Sequence, residues 1–585
     1  MPATPKFHSP LTPIALAIPL LALVACGGDG GDTTTTTTPT TPTTTTLTSI
    51  EQKLPCANLV GQTIPSSAIG LPTTGAAVIT ATDTTDTDSA GQARNYCLVT
   101  GNIWPVDPTA SPIRFEVNLP KSWNQRALQY GGGGTNGSVV TGLAQFSEGP
   151  ANIATPLARG YVTLGSDSGH SSTGKPPFDT SFALNQEELL NFGQQQVKKT
   201  VDVAKALTQL MYGQKPKFTY FAGGSQGGHE AFDAAQRYPD DYEGVIANYP
   251  AYNPQNMWQG ALSQAKAIYG NQSGVASTAW SNPAKIATLV AAVRTACDGL
   301  DGVSDGIISN VPACNQAFTL DTVKSTLRCA GGADTGDNCF SDAQIAAVEK
   351  IGSPVQYGFA FYGGSTTYPK WPILEGATFL GNHLGKTNTA DASKIPFVPD
   401  GTAFQYFPGK GAVTGFITQN LSADPLAFDP NLWVGRIQQV SFWTDAVSTD
   451  LSRFAAKGAK MLLTHGTIDD SITPYNTIAY WNKLVAANGQ SKVDEFARFY
   501  LIPGKGHGQG IFNAKADLLS ALEAWVEKAQ APGQLVAVEG NTTDAATAGR
   551  TRPLCQYGSY PKYTGPANPS QAQANDAANF TCTAL

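Results

Sequence analysis

The sequence predicts an α/β protein built on a doubly wound, mainly parallel sheet, and three observations support this prediction. Short apolar runs that resemble strands alternate with helical patterns along the chain. A serine bracketed by glycines directly follows one of these runs, and two later runs end in loops that carry acidic residues or a histidine. Because ligands bind beyond the carboxyl ends of strands in open α/β sheets, we expect these loops to meet.

The strand-like runs of the first half are short, apolar and flanked by turn residues. They are IRFEVNLP (113–120), RALQY (126–130), GYVTLGS (160–166) and FTYFAGG (218–224). Before the last of them, residues 193–213 place apolar side chains at helical spacing and end in Gly213, a common helix terminator. This alternation favours a sheet with helices packed against it.

Ser225 lies in the segment GGSQGG, between a strand-like run and a helix-like run. Glycine tolerates backbone angles and close approaches that other residues do not. The arrangement is typical of a nucleophile elbow, in which a sharp strand-to-helix turn exposes the serine hydroxyl. A flexible glycine turn is the alternative interpretation, because a single G-x-S-x-G match is a weak signal.

A serine nucleophile in this fold takes its acid and then its histidine from later in the chain. Residues 458–477 contain a buried strand-like run followed by His465 and by Asp469 and Asp470, and residues 497–512 carry His507 in a glycine-rich loop after another such run. His507 comes after the serine and the acidic residues in the chain, which is the position expected for the general base. His465 is expected to contact the substrate or to support the site from behind. The other histidines outside the N-terminal segment are His170, His229 and His383.

Four consecutive glycines occur in GGGGTNGS (131–138), directly after a strand-like run. Their backbone N–H groups could approach a ligand closely, as an oxyanion hole requires. A mobile surface loop and a phosphate cradle are the alternatives. No lysine follows the glycines, which argues against a phosphate-binding P-loop.

The sequence of the N-terminus predicts a targeting segment. Residues 11–25 form an apolar run that is short for a membrane span and ends in Leu-Val-Ala-Cys26, which resembles a bacterial lipobox. Residues 1–25 are therefore predicted to be a lipoprotein signal peptide, with Cys26 lipidated, and the Thr/Pro-rich residues 26–48 a flexible tether. The alternative is an ordinary secretory signal. We expect an exported lipoprotein, at the outer membrane or cell surface, that touches the membrane only through its lipid.

Composition argues against a nucleic-acid-binding protein, and chain length indicates the domain organisation. The chain has 585 residues, 41% hydrophobic and 9% aromatic residues and a formal net charge of -7. No basic stripe suggests nucleic acid as a partner. Since residues 49–585 are many for one core, we predict a catalytic domain in two parts, 49–251 and 436–585, interrupted by a lid domain at 252–435.

Nine cysteines occur, and assigning Cys26 to lipid leaves an even set of eight. An even set in an exported protein indicates disulfides rather than metal ligation. Pairing of near neighbours would join Cys56 with Cys97, Cys297 with Cys314, Cys329 with Cys339, and Cys555 with Cys582, although the sequence alone does not establish this connectivity.

The sequence resembles the tannase and feruloyl esterase family of serine hydrolases over almost the whole mature chain. The resemblance rests on GGGGTNGS, GSDSGH (165–170), GGSQGG, RYPDDYEGVIANYPA (237–251), ACDGLDGVSDGI (296–307), HGTIDD, LIPGKGHG and RTRPLCQY (550–557). It implies an α/β-hydrolase fold with a large inserted lid and a triad of Ser225, Asp469 and His507. The oxyanion hole would consist of the N–H groups of Gly134 and Gln226.

The sequence departs from the family where members carry a disulfide between a cysteine before the nucleophile and one after the catalytic histidine. Gly224 and Gly508 occupy these positions. Without that bridge, packing alone must align Ser225 with His507.

The resemblance also implies a structural calcium site in the lid. The ligands would be the side chains of Asp298, Asp301 and Asp305 and the carbonyl oxygens of Val303 and Ile307. Oxygen ligands on a tight glycine-containing loop suit Ca²⁺. An acidic surface turn is the alternative interpretation.

These features predict a carboxylic ester hydrolase that acts on a small aromatic ester, of feruloyl or galloyl type, through an acyl-enzyme. Trp371, Phe379 and Phe416 are candidates for contacts with the aryl group, although core packing also explains them. Terephthalate half-esters are an alternative substrate, but no arginine lies between Arg328 and Arg436 to bind their carboxylate. A serine peptidase and a non-catalytic, ligand-binding surface lipoprotein are further alternatives.

Overall fold

The structure, a computed structural model, describes residues 47–270, 277–379, 383–386 and 403–585. The predicted signal peptide, Cys26 and almost all of the tether lie outside the described residues. The described part belongs to one compact unit, and the boundaries at 252 and 435 stay predictions. No helix in this part is long and apolar enough to cross a membrane.

The strands are mostly short, as expected for buried parallel strands. In chain order they are β1 (Ile50–Glu51), β2 (Thr63–Ile64), β3 (Gly75–Thr87), β4 (Ala93–Trp104), β5 (Ile113–Pro120), β6 (Ser122–Trp123), β7 (Arg126–Tyr130), β8 (Val162–Ser166), β9 (Phe218–Gly224), β10 (Gly244–Asn248), β11 (Val355–Gln356), β12 (Thr367–Tyr368), β13 (Lys460–Gly466), β14 (Ala497–Ile502), β15 (Ala514–Lys515), β16 (Leu535–Glu539), β17 (Thr551–Leu554), β18 (Ser559–Tyr563) and β19 (Phe580–Ala584).

The helices lie between the strands and in the region predicted as a lid. They are α1 (Gln186–Leu190), α2 (Gln196–Tyr212), α3 (Gln226–Gln236), α4 (Pro254–Tyr269), α5 (Pro283–Cys297), α6 (Val311–Ala317), α7 (Leu320–Thr326), α8 (Asp342–Ile351), α9 (Phe407–Gly411), α10 (Val434–Thr444), α11 (Ser452–Ala456), α12 (Pro474–Asn488), α13 (Gln490–Val493), α14 (Leu518–Lys528) and α15 (Gln571–Ala574). Helix α2 ends at Gly213 in the left-handed conformation, as its sequence predicts. Helix α12 begins with a Thr473 cap followed by proline.

A ten-stranded sheet in the order β14-β13-β10-β9-β7-β8-β5-β4-β3-β2 forms the centre of the fold. The strands from β14 to β8 are parallel, and the remaining strands pair antiparallel. The predicted α/β-hydrolase-type fold is confirmed. Strands β9, β13 and β14 therefore end at the same edge of the sheet, where the segments with Ser225, Asp469 and His507 begin.

Both faces of the sheet are covered, because successive side chains of a strand point to opposite faces. In β10, Val245 and Ala247 belong to a hydrophobic cluster that includes α2, α3 and α12, whereas Ile246 belongs to a second cluster with α14. A third cluster is formed mainly by residues 251–472, with helices α4, α5, α8 and α10. This last cluster is the core of the region that the sequence predicts as a lid.

Four disulfides form in the structure, with the pairing that near neighbours predict: Cys56–Cys97, Cys297–Cys314, Cys329–Cys339 and Cys555–Cys582. Each closes a loop of at most 41 residues in sequence. The covalent links therefore stabilise local segments, and none joins the Ser225 turn to the His507 loop.

Candidate active site

Ser225 lies at a strained turn between β9 and α3. Its φ of 60° and ψ of -119° are unusual for a residue with a side chain. The backbone is held there on both sides, because Ser225 N–H donates to the Asn248 carbonyl and the Ser225 carbonyl accepts from Ala251 N–H, both at 3.0 Å. Strain retained in this way is a feature of functional sites, and the geometry is that of the predicted nucleophile elbow.

His507 connects Ser225 with Asp469. Its Nε2 lies 3.0 Å from Ser225 Oγ, and its Nδ1 lies 2.9 Å from Asp469 Oδ2. The three side chains come from loops after three different parallel strands, as expected from the sequence. They have the hydrogen-bonding order of a nucleophile, a base and an orienting acid.

The charges of this cluster favour a basic imidazole. Burial disfavours the charged form of His507, but the charge and the hydrogen bond of Asp469, together with Asp470 and Glu148, outweigh it and raise the pKa of His507. Burial would likewise raise the pKa of Asp469, yet His507 and His465 hold that pKa well below its usual value. Asp469 is therefore ionised at neutral pH and can stabilise an imidazolium.

Asp469 and Asp470 point in different directions. Asp469 Oδ1 accepts the N–H groups of Ser471 and Ile472, both at 2.9 Å, which leaves Oδ2 for His507. Asp470 Oδ1 instead lies 3.1 Å from His383 Nδ1. Only the first of the two neighbouring carboxylates contacts His507.

The loop after β7 approaches α3 closely because glycines occur on both sides. A Cβ on Gly131 would lie 2.5 Å from the Cα of Gly227, and a Cβ on Gly227 would lie 2.8 Å from the Gly132 carbonyl oxygen. Gly227 N–H donates to that same carbonyl at 2.8 Å. Side chains at these positions would force the loop away from Ser225.

Two polar side chains fix the loop further. Glu230 on α3 accepts from Gly132 N–H at 3.0 Å and from the Asn136 side chain at 2.5 Å. His170 Nε2 lies 2.9 Å from the Thr135 carbonyl oxygen, and burial lowers the pKa of His170 to about 4, so the neutral ring donates. As a result Gly134, with φ of 57°, and Gln226 both border the cavity that contains Ser225.

His465 does not occupy the position predicted for a substrate contact. Its side chain is fully buried, with Nδ1 at 2.8 Å from Thr477 Oγ1 and Nε2 at 2.8 Å from the Ile472 carbonyl oxygen. It lies behind Asp469, 3.4 Å from Oδ2, and does not line the cavity over Ser225. The prediction of substrate binding is therefore wrong, because the end of β13 turns this ring into the interior.

The cavity over Ser225 and His507 is walled mainly by apolar and aromatic side chains. They are Phe178, Ala251, Met257, Trp258, Ala261, Phe404, Pro408 and Ile472. The rings of Phe178 and Phe404 meet edge to face, with centroids 5.3 Å apart. Among the described residues that line this cavity, His507 is the one titratable side chain.

Trp371, Phe379 and Phe416, which the sequence offers as contacts for an aryl group, are fully buried in the core of the lid region. Phe416 packs against Trp258, with ring centroids 5.1 Å apart, and so supports the cavity wall from behind. The alternative interpretation of these three residues, core packing, is the one the structure supports.

The predicted calcium loop is tightly folded. Asp298 Oδ1 accepts Gly306 N–H at 3.0 Å, and Asp305 Oδ2 pairs with the buried guanidinium of Arg552. Asp301 Oδ2 is buried and has no hydrogen-bond partner among the described residues, and burial together with nearby carboxylates raises the pKa of Asp301 to about 7. The described part contains no ready group of three His, Cys, Asp or Glu side chains for a metal. The unpartnered Asp301 Oδ2 atom is suited to bind a cation. The carbonyl groups of Val303 and Ile307 belong to the same loop.

Sequence comparison with known proteins gives the family of this chain. Residues 97–583 match the family model for tannase and feruloyl esterase. The chain belongs to the tannase and feruloyl esterase family. The resemblance seen in the sequence is thus confirmed, and the protein is a carboxylic ester hydrolase.

Several members of the family are similar along most of their length. An uncharacterised esterase of Agrobacterium fabrum is 36% identical over 533 residues, which cover 90% of this chain and 92% of the relative. The mono(2-hydroxyethyl) terephthalate hydrolase of Piscinibacter sakaiensis is 32% identical, with 85% and 86% covered. The crystal structure of feruloyl esterase B from Aspergillus oryzae has a TM-score of 0.68 at 22% identity, with 88% of this chain and 98% of that chain covered, which supports the fold.

Replacing Asp469 and Asp470 separately by asparagine distinguishes the roles of these two neighbouring residues. Asp469→Asn should lower kcat on the order of 10⁴-fold, because the amide favours the wrong tautomer of His507. Asp470→Asn, the matched control, should keep most of the activity, since Asp470 lies against His383. Steady-state kinetics with one aryl ester measure both, and a larger loss in Asp470→Asn would contradict the assignment.

Proposed function

We propose that this esterase hydrolyses small, uncharged aryl esters through Ser225, His507 and Asp469. The observation that carries the proposal is the continuous hydrogen-bonded row from Ser225 Oγ to Asp469 Oδ2, placed at the floor of an aromatic cavity. A non-catalytic binding protein would have no need for the strained Ser225 backbone or the buried Asp469.

The reaction begins when Ser225 Oγ attacks the ester carbonyl carbon while His507 Nε2 takes the hydroxyl proton. The tetrahedral oxyanion accepts hydrogen bonds from the N–H groups of Gly134 and Gln226. As the C–O bond to the alcohol breaks, the imidazolium returns its proton to the leaving oxygen. Water, deprotonated by His507, then attacks the acyl-enzyme, and Ser225 leaves with the proton.

The cavity wall supports an aromatic acyl group. Phe178, Trp258 and Phe404 surround the space next to Ser225, and aromatic rings favour stacked or edge-to-face contacts with another ring. Feruloyl esters, after which feruloyl esterases of the family are named, and galloyl esters both have an aromatic acyl group that could make such contacts. Their phenolic hydroxyls are uncharged at neutral pH.

A terephthalate half-ester fits the site less well. Its free carboxylate would have to enter an apolar cavity, and desolvating an unpaired charge is costly. No Lys or Arg is found among the described residues that line this cavity. The sequence has no arginine between Arg328 and Arg436. Among the described residues of the cavity wall, no lysine or other arginine takes its place.

A substrate panel tests the proposed function. Methyl ferulate and methyl gallate should be hydrolysed with higher kcat/KM than a terephthalate half-ester, an aliphatic ester or an anilide. Ser225→Ala should lower turnover by roughly 10⁶-fold, whereas Ser471→Ala, which changes another serine of the same cavity, should retain most activity. Preference for the charged half-ester or for the anilide would contradict the substrate class, and an active Ser225→Ala would contradict the nucleophile.

The fall in activity on the acid side of the pH profile should reflect protonation of His507. Only the neutral imidazole accepts the Ser225 proton, so activity falls as pH drops through the pKa of His507. Because that pKa is raised, the midpoint of this fall should lie above about 6.5, the ordinary value for histidine. The measurement is kcat/KM for a neutral aryl ester from pH 5 to 9. A rate that stays constant down to pH 5 would contradict the role of His507.

We also propose a structural Ca²⁺ held by Asp298, Asp301 and Asp305 with the carbonyl oxygens of Val303 and Ile307. When bound, the ion would neutralise the carboxylates and fasten the loop. It would take no part in catalysis, because the residues of this loop do not line the cavity over Ser225.

Removal of calcium should lower the Tm. A ligand present at about 100 times its Kd adds about 2.7 kcal/mol to stability, which EGTA would abolish and excess Ca²⁺ would restore. Asp301→Asn should lose this response, and the exposed Asp544→Asn should keep it. Metal analysis and thermal melts of the purified protein give the answer, and an unchanged Tm with no bound calcium would exclude the site.

The proposed setting of the enzyme is the outer membrane or the cell surface, with lipid on Cys26 as its anchor. The support comes from the sequence: the lipobox-like segment, the Thr/Pro-rich tether and the cysteine count after Cys26 is set aside. A disulfide-rich esterase is consistent with an exported protein.

A further inference from the structure

Tyr249 lies where the turn of Ser225 and the loop of His507 approach each other. It directly follows β10, and its φ of 35° is unusual for an aromatic residue. A Cβ on Gly224 would lie 2.8 Å from Tyr249 Oη, and a Cβ on Gly508 would lie 3.8 Å from the same oxygen. The hydroxyl therefore lies between the residue before the nucleophile and the residue after the base.

The Tyr249 ring contacts the base directly. Its centroid lies 4.7 Å from that of His507, with the planes inclined by 59°. Since Ser225 and Asp469 hold the two ring nitrogens of His507, the Tyr249 ring restricts the remaining freedom of the imidazole to tilt. Tyr249 N–H also donates to the Thr464 carbonyl at 2.7 Å, which fixes the tyrosine to β13.

The Tyr249 hydroxyl connects to a buried network of charges. It donates to Glu148 Oε1 at 2.6 Å, and Glu148 Oε2 accepts from Lys505 Nζ at 2.7 Å and from Lys515 Nζ at 2.8 Å. Lys505 is fully buried and lies two residues before His507. Although burial alone would raise it, the two lysines lower the pKa of Glu148 to about 2, so Glu148 is ionised at neutral pH.

Lys505 also connects the loops of the acid and the base. Its carbonyl oxygen accepts from Ile468 N–H at 3.1 Å, next to Asp469. Glu148 has a positive φ of 65° and is anchored through its carbonyl, which accepts from Ala516 N–H at 3.1 Å. Glu148 and Tyr249, which share a hydrogen bond, thus both have a positive φ, and such strained residues cluster at functional sites.

We propose that Tyr249 is a positioning residue for His507: its ring limits the tilt of the imidazole, and its hydroxyl holds the His507 loop through Glu148 and Lys505. This inference rests on the proposed function, because it assigns Tyr249 an effect on the Ser225–His507 pair. A residue that positions the base changes the chemical step and leaves substrate binding unchanged.

The test compares single substitutions in the full chain. Tyr249→Phe keeps the ring and should lower kcat about 10-fold for methyl ferulate at unchanged KM. Tyr249→Ala loses the ring as well and should lower kcat further. The rate constant for inactivation by a fluorophosphonate, which reacts with the activated serine, should fall in parallel with kcat.

Tyr242→Phe is the matched control. It removes another buried hydroxyl, which donates to Gln129 Oε1 at 2.7 Å. Tyr242 precedes β10, whereas Tyr249 follows it, so the two tyrosines lie at opposite ends of that strand. Tyr242→Phe should lower the Tm but leave kcat and the inactivation rate within about twofold. The Tm of every variant separates loss of folding from loss of alignment.

Three outcomes would overturn the role of Tyr249: a kcat within twofold of wild type in Tyr249→Phe, an equal loss in Tyr242→Phe, or a rise in KM at constant kcat. A wild-type protein that neither hydrolyses esters nor reacts with the fluorophosphonate would overturn the proposed function and this inference together. A wild type that reacts, with Tyr249→Phe reacting equally fast, would overturn the inference alone.

Discussion

The site depends on a contact between two backbones, that of the loop after β7 and that of the first turn of α3. Gly131 and Gly227 approach so closely that a Cβ on either would clash. With this approach, Gly134 and Gln226 line the same cavity as Ser225. From the same helix, Gly227 N–H donates to the Gly132 carbonyl, and the Glu230 carboxylate accepts from Gly132 N–H. The proposed oxyanion hole needs donors that are fixed before the reaction begins, and the glycines make such a fixed geometry sterically possible.

The central parallel strands and the order of the site residues could be predicted from the sequence. The runs at 126–130 and 218–224 coincide with the parallel strands β7 and β9, and the run at 113–120 coincides with β5, which pairs antiparallel. These runs are recognisable because a buried strand is short, apolar and bounded by turn residues. Ser225, Asp469 and His507 follow because loops after parallel strands open on one edge. The strands therefore predict the location of the site and the residue types in it.

Side chains that act through the tertiary structure could not be predicted in this way. Glu230 resembles any acidic residue of a helix until its burial and its contact with Gly132 are known. His465 comes after a strand, as catalytic groups do, but the rotation of that strand end directs its ring inward. Phe178 precedes the lid region, and Trp258 and Phe404 belong to it. Only the packing of the lid region against the segment with Phe178 determines that these three aromatics, rather than Trp371, Phe379 or Phe416, line the cavity.

The position of the lid region in the sheet has a consequence for how this enzyme can change. The chain leaves the sheet after β10 and returns to it at β13, and these two strands are hydrogen-bonded neighbours. The ends of the insertion are therefore held together by the sheet itself, whatever lies between them. Since the entropic cost of a longer flexible connection grows only slowly, by about 0.6 kcal/mol for each doubling, segments of different length and shape can be exchanged at this point. Under the proposed function, replacing this segment as a module would change the acyl specificity while Ser225, Asp469 and His507 stay in place after their strands.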